Sequence, residues 1–266
     1  MQLKKDYVNR FYMNAAANLF TGAPDIFCDE QQEKYNGHKF VILGAGPTLD
    51  DKGEMIRQHQ KDGFKIIATD RAVIPCRHHK VEPDIVVSID PTACTTDFFG
   101  YEPPEGDIWA SLCANPNLVQ QGENLHFFMP QDVYKRNANQ LNTIKYSVLP
   151  AFGHCSGTAV ALALLMSATD VIVYGCDYVF HGVSGHCPHR NDDYVLSTQY
   201  YAKPINAAEN NILAWHSEAI TYNGMSSYPY AVDAYKGIYT TDNLQSCKQQ
   251  LKAVSGMVQK HMAMQK

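Results

Sequence analysis

Between residues 39 and 177 the apolar positions fall in short continuous runs, separated by mixed segments of helical length. The runs are KFVILG (39–44), GFKIIATD (63–70), PDIVVSID (83–90), DIWASL (107–112), LHFFMP (125–130) and TDVIVYGCD (169–177). Each is rich in β-branched or aromatic residues and continuous rather than alternating, the pattern of a strand covered on both faces. Strands alternating with helical lengths predict an α/β fold with a doubly wound, mostly parallel sheet. Upstream, Tyr7, Val8, Phe11, Tyr12, Ala15 and Leu19 recur at helical spacing and predict a helix over 6–20. The stretch GTAVALALLMSA (157–168) is apolar all round and too short to cross a bilayer, so it reads as a buried helix. Beyond 190 the chain turns polar and aromatic, with helices expected around 207–222 and 241–262. These elements divide the chain into an N-terminal helix and lead-in (1–38), an α/β core (39–190), and a helical, aromatic C-terminal cap (191–266) belonging to the same domain.

Composition narrows the class. Hydrophobic residues are 45% and charged residues 18% of 266, as in a globular enzyme and unlike a disordered chain. A net charge of −5 offers no field for gathering nucleic acid. No run reaches membrane-spanning length and the N-terminus has no uninterrupted apolar core, so neither a membrane partner nor a secretory signal is expected. Eight scattered cysteines without a CxxC pair suit reduced thiols in a cytoplasm. A homo-oligomer stays open.

Ligands of open parallel sheets bind at the carboxyl ends of the strands, so chemistry is sought there. The first run ends in Gly44-Ala45-Gly46-Pro47-Thr48. Glycines allow close backbone approach, proline suits the first helical position, and a helix N-terminus favours an anion, most often phosphate. Thr48 adds a hydroxyl. Neither best-known phosphate motif fits: the third glycine of G-x-G-x-x-G would fall at Leu49, and no G-K-[ST] follows. A tight strand-to-helix turn is the plain alternative.

Asp70-Arg71, Asp90 and Asp177 end three further runs. Such carboxylates hold ribose hydroxyls or a metal with substrate oxygens, or else cap helices. The turn FGHCSGT (152–158) opens the long apolar helix and offers Ser156, Gly157 and Thr158 to a ligand, unless Ser156 or Thr158 simply caps the helix. In YGCDYVFHGVSGHCPHR (174–190), His181, His186, Cys187 and His189 have no standard zinc spacing, and a histidine there suits acid–base work better.

Three segments in order carry a resemblance: VILGAGPTLD (41–50), TDRAV with VEPDIVVSIDP (69–91), and GTAVALALLMSATDVIVYGCDYVF (157–180). Together they resemble the MptE-like family, which takes in archaeal 6-hydroxymethyl-7,8-dihydropterin diphosphokinases and the core of the Maf motility-associated glycosyltransferases. They are also reminiscent of sialyltransferases that use CMP-sugars. The family's G-x-G-P-S-L loop is matched by Gly44, Gly46, Pro47, Thr48 and Leu49, with Thr48 replacing serine. Its PD…D strand is matched by Pro83, Asp84 and Asp90, its G-x-D end by Gly175 and Asp177 with His186 beyond, and its glycine–serine turn by Ser156-Gly157-Thr158.

The resemblance implies a Rossmann-like fold and a nucleotide-dependent transferase. The nucleotide would lie on Gly44, Ala45, Gly46, Pro47, Thr48, Asp70, Arg71, Ser156, Gly157 and Thr158, with His186, Asp90 and Asp177 catalytic and Asp90 and Asp177 holding Mg2+. Diphosphate transfer from ATP to the pterin comes first. A glycosyltransferase with a CMP-sugar (nonulosonic acid) donor is the alternative, and a non-catalytic nucleotide-binding protein another. An NAD-dependent oxidoreductase fits less well, because the third glycine is missing.

Overall fold

The computed structural model describes residues 2–91, 99, 102–121, 124–136, 139, 143–149, 154–176, 180–181, 200–205, 212–217, 230–235 and 238–240. Seven strands form one sheet: β1 (Lys39–Leu43), β2 (Lys65–Thr69), β3 (Ile85–Ser88), β4 (Asp107–Ser111), β5 (Leu125–Pro130), β6 (Val148–Leu149) and β7 (Asp170–Tyr174). Their order is β6-β5-β4-β3-β2-β1-β7, and every pairing is parallel. The chain steps outward from β1 to β6 and then returns to the other side of β1, so strand order reverses between β1 and β7. The expected Rossmann-like α/β fold is present, and the two-residue β6 is a strand that the apolar runs did not announce.

Successive side chains of a strand point to opposite faces, and both faces are covered here. Phe40, Ile42, Ile67, Ile85, Val87, Trp109 and Phe128 pack with α2 (Asp29–Tyr35) and with the eleven-residue helix Cys155–Leu165. On the other face Val41, Leu43, Ile66 and Ala68 pack with α3 (Gly53–Lys61) and α4 (Val73–His78). Val86, Ile108, Ala110 and Phe127 share a cluster with Ala15 of α1 (Gln2–Leu19) and Val73. This two-sided burial is why the runs are continuous. Further along the chain lie α5 (Gln131–Arg136) and α6, the Cys155–Leu165 helix, which is buried from Ser156 to Ala163 as its all-round apolarity requires.

At the amino end of the sheet a buried polar network ties α2 to β4 and β5. Asp107 accepts hydrogen bonds from Tyr35 Oη at 2.6 Å and Lys34 Nζ at 2.7 Å, and His126 Nε2 stands 3.4 Å away. Burial alone would raise the Asp107 carboxyl, but His126, Lys34 and Tyr35 together carry it down to about 2. Burial and the same carboxylate push the Tyr35 phenol up. Asp84 of the PD…D pattern also sits at this end: it pairs with Lys65 at 2.8 Å and accepts the Ile66 N–H.

The second sheet corrects one expectation. Residues 212–217, inside the helix anticipated at 207–222, are strand β10 of a five-stranded antiparallel sheet, ordered β8-β12-β11-β10-β9. Its other strands are β8 (Phe180–His181), β9 (Tyr200–Ile205), β11 (Tyr230–Tyr235) and β12 (Ile238–Thr240). Ile212–Ser217 pairs with Tyr200–Ile205 over its whole length. The β-branched and aromatic content of ILAWHS suits either period, and a cross-strand partner decides in favour of the strand. The helix expected at 241–262 lies outside the described residues. Among the described residues no helix is long and apolar enough to cross a membrane.

Candidate active site

The carboxyl ends of β1, β2, β3 and β7 bring the glycine loop, Asp70 and Asp90 to one edge of the sheet. The loop closes on β7. Gly44 N–H donates to Tyr174 O at 2.9 Å and Gly46 N–H to Gly175 O at 2.7 Å. A Cβ on Gly44 would lie 2.5 Å from Gly175 O, and one on Gly175 would fall on Gly44 O. Gly175 also has φ +65°, which favours glycine. The sequence reading offers the loop's N–H groups to an anion; those of Gly44 and Gly46 are bonded within the fold. Gly46, unlike Gly175, has φ −70° and ψ 159°, which are open to any residue. Pro47 begins a 3-10 helix, Pro47–Lys52, that carries Thr48, and the α-helix proper starts only at Gly53.

Asp70 is 4% exposed. It accepts Arg71 N–H at 2.8 Å and the Ser88 hydroxyl at 2.9 Å, and Cys155 Sγ stands 3.7 Å from it. Burial, reinforced by the charge of Asp90, raises its carboxyl to about 6, against the lowering pull of Ser88 and Arg71. Its oxygens therefore serve Ser88, Arg71 and Cys155, so Asp70 is an inner carboxylate of this edge. Asp90 is half-buried, and its carbonyl accepts the Asn115 N–H at 3.1 Å. Burial and Asp70 push the Cys155 thiol well up, which disfavours the thiolate.

Helix α6 enters over Asp70. Its cap is His154, neither Ser156 nor Thr158: His154 Nδ1 accepts Gly157 N–H at 3.0 Å. Thr158 Oγ1, fully buried, donates to His154 O at 3.1 Å, and Ser156 Oγ lies 3.3 Å from the His154 ring. A Cβ on Gly157 would lie 2.5 Å from the imidazole, so this glycine makes room for the ring. Burial lowers His154 to about 4, which keeps it neutral near pH 7. Histidine is not among the favoured capping residues, so no local pattern signals this role.

The structure thus assembles Gly44, Ala45, Gly46, Pro47, Thr48, Asp70, Arg71, Asp90, Ser156, Gly157 and Thr158 around one sheet edge. Asp177 and His186 lie outside the described residues, as do Cys187 and His189. Among the described residues no three His, Cys, Asp or Glu side chains cluster as metal ligands. The sequence reading missed Ser88, Cys155, His154 and the pair Asn14 and Asn18. Two asparagines four apart in an alanine stretch were the one legible signal, since such residues share a helix face.

Comparison with known proteins agrees with this architecture. No curated protein matches the chain. The Maf glycosyltransferase from Magnetospirillum magneticum AMB-1 is a structural neighbour with TM-score 0.56 and 16% identity; the match covers 94% of this chain and 35% of that one. This chain therefore spans about a third of that protein's length, and the likeness is one of fold. The family profile described as "6-hydroxymethylpterin diphosphokinase MptE-like" matches residues 9–182, which include the C-terminal part of α1, all seven parallel strands and the whole glycine-loop edge. On that match, well over half of its length, the chain belongs to the MptE-like family.

Proposed function

We propose that the chain is a nucleotide-dependent transferase that moves diphosphate from ATP to 6-hydroxymethyl-7,8-dihydropterin. The observation that carries this reading is the placement of Asp70 and Asp90 at the ends of the adjacent strands β2 and β3, one and two strands from the glycine loop of β1, beside which strand order reverses. Nucleotides bind at such switch points in doubly wound sheets. The family description names the pterin reaction.

In this reading the loop carries the phosphates, with Gly46 admitting close approach and Thr48 adding a hydroxyl. Arg71 contributes positive charge beside Asp70. The pterin hydroxyl oxygen bonds to the β-phosphorus, the bond from that phosphorus to the oxygen bridging the α-phosphate breaks, and AMP leaves. The hydroxyl proton goes to a base, for which His186 is the candidate. Catalysis is mostly positioning and charge neutralisation. The donor set suits Mg2+: after burial, the charge of Asp90 is what raises Asp70, an arrangement that a cation relieves, and Mg2+ is commonly held by one or two carboxylates plus phosphates. Asp90, with Asp177, would hold it, and the ion supplies charge neutralisation on the phosphates.

A second reading is favoured by the likeness to the Maf glycosyltransferase over 94% of this chain. There a CMP-sugar (nonulosonic acid) occupies the loop and His186 deprotonates the acceptor hydroxyl. A thermal-shift panel of ATP, CMP, CMP-sugars and NAD, each with and without Mg2+, separates the readings by mass action. A Mg2+-dependent shift with ATP, followed by pterin-dependent release of AMP, supports the first. A metal-independent shift with CMP or its sugars supports the second. Binding without turnover on either acceptor class identifies a non-catalytic nucleotide-binding protein.

A further inference from the structure

We propose that Asn14 is a positioning residue for Asp90: from α1 it fixes the Asp90–Pro91 backbone against the turn that follows β4. The inference rests on the reading of this sheet edge as a nucleotide site.

Helix α1 carries Asn14-Ala15-Ala16-Ala17-Asn18. The two asparagines lie four residues apart, so they share a face, and both are buried, at 8% and 0% exposure. Each amide nitrogen reaches two main-chain carbonyls. Asn18 Nδ2 donates to Leu112 O and Ala114 O, both at 2.9 Å, and so ties up one segment, the turn after β4. Asn14 Nδ2 donates to Cys113 O at 3.1 Å in that turn and to Pro91 O at 3.0 Å in the segment that follows β3. It is therefore a bridge between two strand ends, whereas Asn18 is a clamp on one.

Asp90 lies directly before the bridged residue. Its carbonyl accepts Asn115 N–H at 3.1 Å, again from the β4 side. Pro91 has no N–H and cannot anchor the segment by donating. Consecutive carbonyls, those of Asp90 and Pro91, are thus held by donors outside β3, and Asn14 supplies the second. Losing it removes one of the donors that hold this segment against the β4 turn.

Asn18→Ala is a matched control for Asn14→Ala, because each change removes one buried amide that donates to two carbonyls. The experiment measures Asn115 amide hydrogen exchange by NMR, the Kd for ATP with Mg2+, and the unfolding midpoint, in wild type, N14A, N18A, D90N and N14A/D90N. Asn14→Ser replaces N14A if the alanine variant does not fold. The inference expects Asn115 to exchange about tenfold faster in N14A than in N18A, as for the loss of one supporting bond. It also expects nucleotide affinity to fall further in N14A than in N18A, and not to fall again when N14A is added to D90N. Equal effects of N14A and N18A on Asn115 exchange overturn it, as does full additivity of N14A with D90N in binding. If wild type binds neither ATP nor a CMP-sugar, the functional reading fails, and Asn115 exchange alone then decides the positioning role.

Discussion

Gly44 and Gly175 interlock at the ends of β1 and β7. Each occupies the space that a Cβ on the other would need, and Gly46 N–H seals the contact by donating to Gly175 O at 2.7 Å. The first function of the two glycines is thus to let neighbouring strand ends close on one another at the switch point. The backbone of Gly46, at φ −70° and ψ 159°, is open to any residue.

Alanine at Gly44 or Gly175 should therefore destabilise the fold. Gly175→Ala should cost about 2 kcal/mol or more, because strain at positive φ adds to the collision. Gly46→Val should instead abolish nucleotide binding and leave the far-UV spectrum largely intact. Denaturant unfolding and ligand titration on the three variants check this division; unchanged nucleotide binding by Gly46→Val would remove the loop from the site.

Asp70 should make stability fall as pH rises. Its folded-state pKa, about 6, lies above its ordinary value of 3.8. Its contribution is therefore complete below pH 3.8 and is lost as pH climbs through 6. Two units correspond to roughly 3 kcal/mol. In Asp70→Asn the loss between pH 4 and 7 should shrink by about that amount, as measured by urea unfolding across the range.

Asp107 carries the opposite sign. Its carboxyl is held at about 2, below its ordinary 3.8, so its contribution is present above 3.8 and is lost as pH falls through 2. Tyr35→Phe removes the 2.6 Å donor. It should cost about 1–3 kcal/mol at neutral pH and move acid unfolding to higher pH. An acid titration followed by near-UV circular dichroism reads both effects.

The His154 cap and Gly157 should be coupled. Gly157→Ala places a methyl against the imidazole and should cost more in wild type than in a His154→Ala background. His154→Ala alone should cost about 1 kcal/mol, as for a lost cap. A double-mutant cycle in urea gives the coupling directly; additivity would show that the ring does not set the glycine.

Asp90→Asn should cut turnover far more than it cuts stability. The side chain is half-buried at the open edge, and the main-chain bond from Asn115 N–H is untouched by the change. Comparable losses in both would make Asp90 a structural group.

The parallel sheet was legible in the sequence because burial on two faces leaves a direct mark: Phe40 and Ile42 face one layer, Val41 and Leu43 the other, and all four are apolar. The loop 44–48 and the acidic strand ends Asp70 and Asp90 were legible for a related reason, since topology puts the carboxyl ends of parallel strands on one edge. Residues 212–217 were not. Ile212–Ser217 carries no period that excludes a helix, and its pairing with Tyr200–Ile205 is a contact between segments, not a property of either.

The sequence by itself determined the fold class, the run of strands β1 to β5 and β7, and the family. Each of these follows from local patterns of apolarity and from short motifs read in order. Only the tertiary structure decided what the individual residues do. It made Gly44 a packing glycine against Gly175, Asp84 a pin at the amino end, Asp70 an inner carboxylate raised by burial and by Asp90, His154 a cap, and Asn14 a bridge to Pro91. Each of these roles depends on a partner distant in the chain or on a particular local geometry, and on how far burial strips water from the pair, quantities that no local pattern encodes.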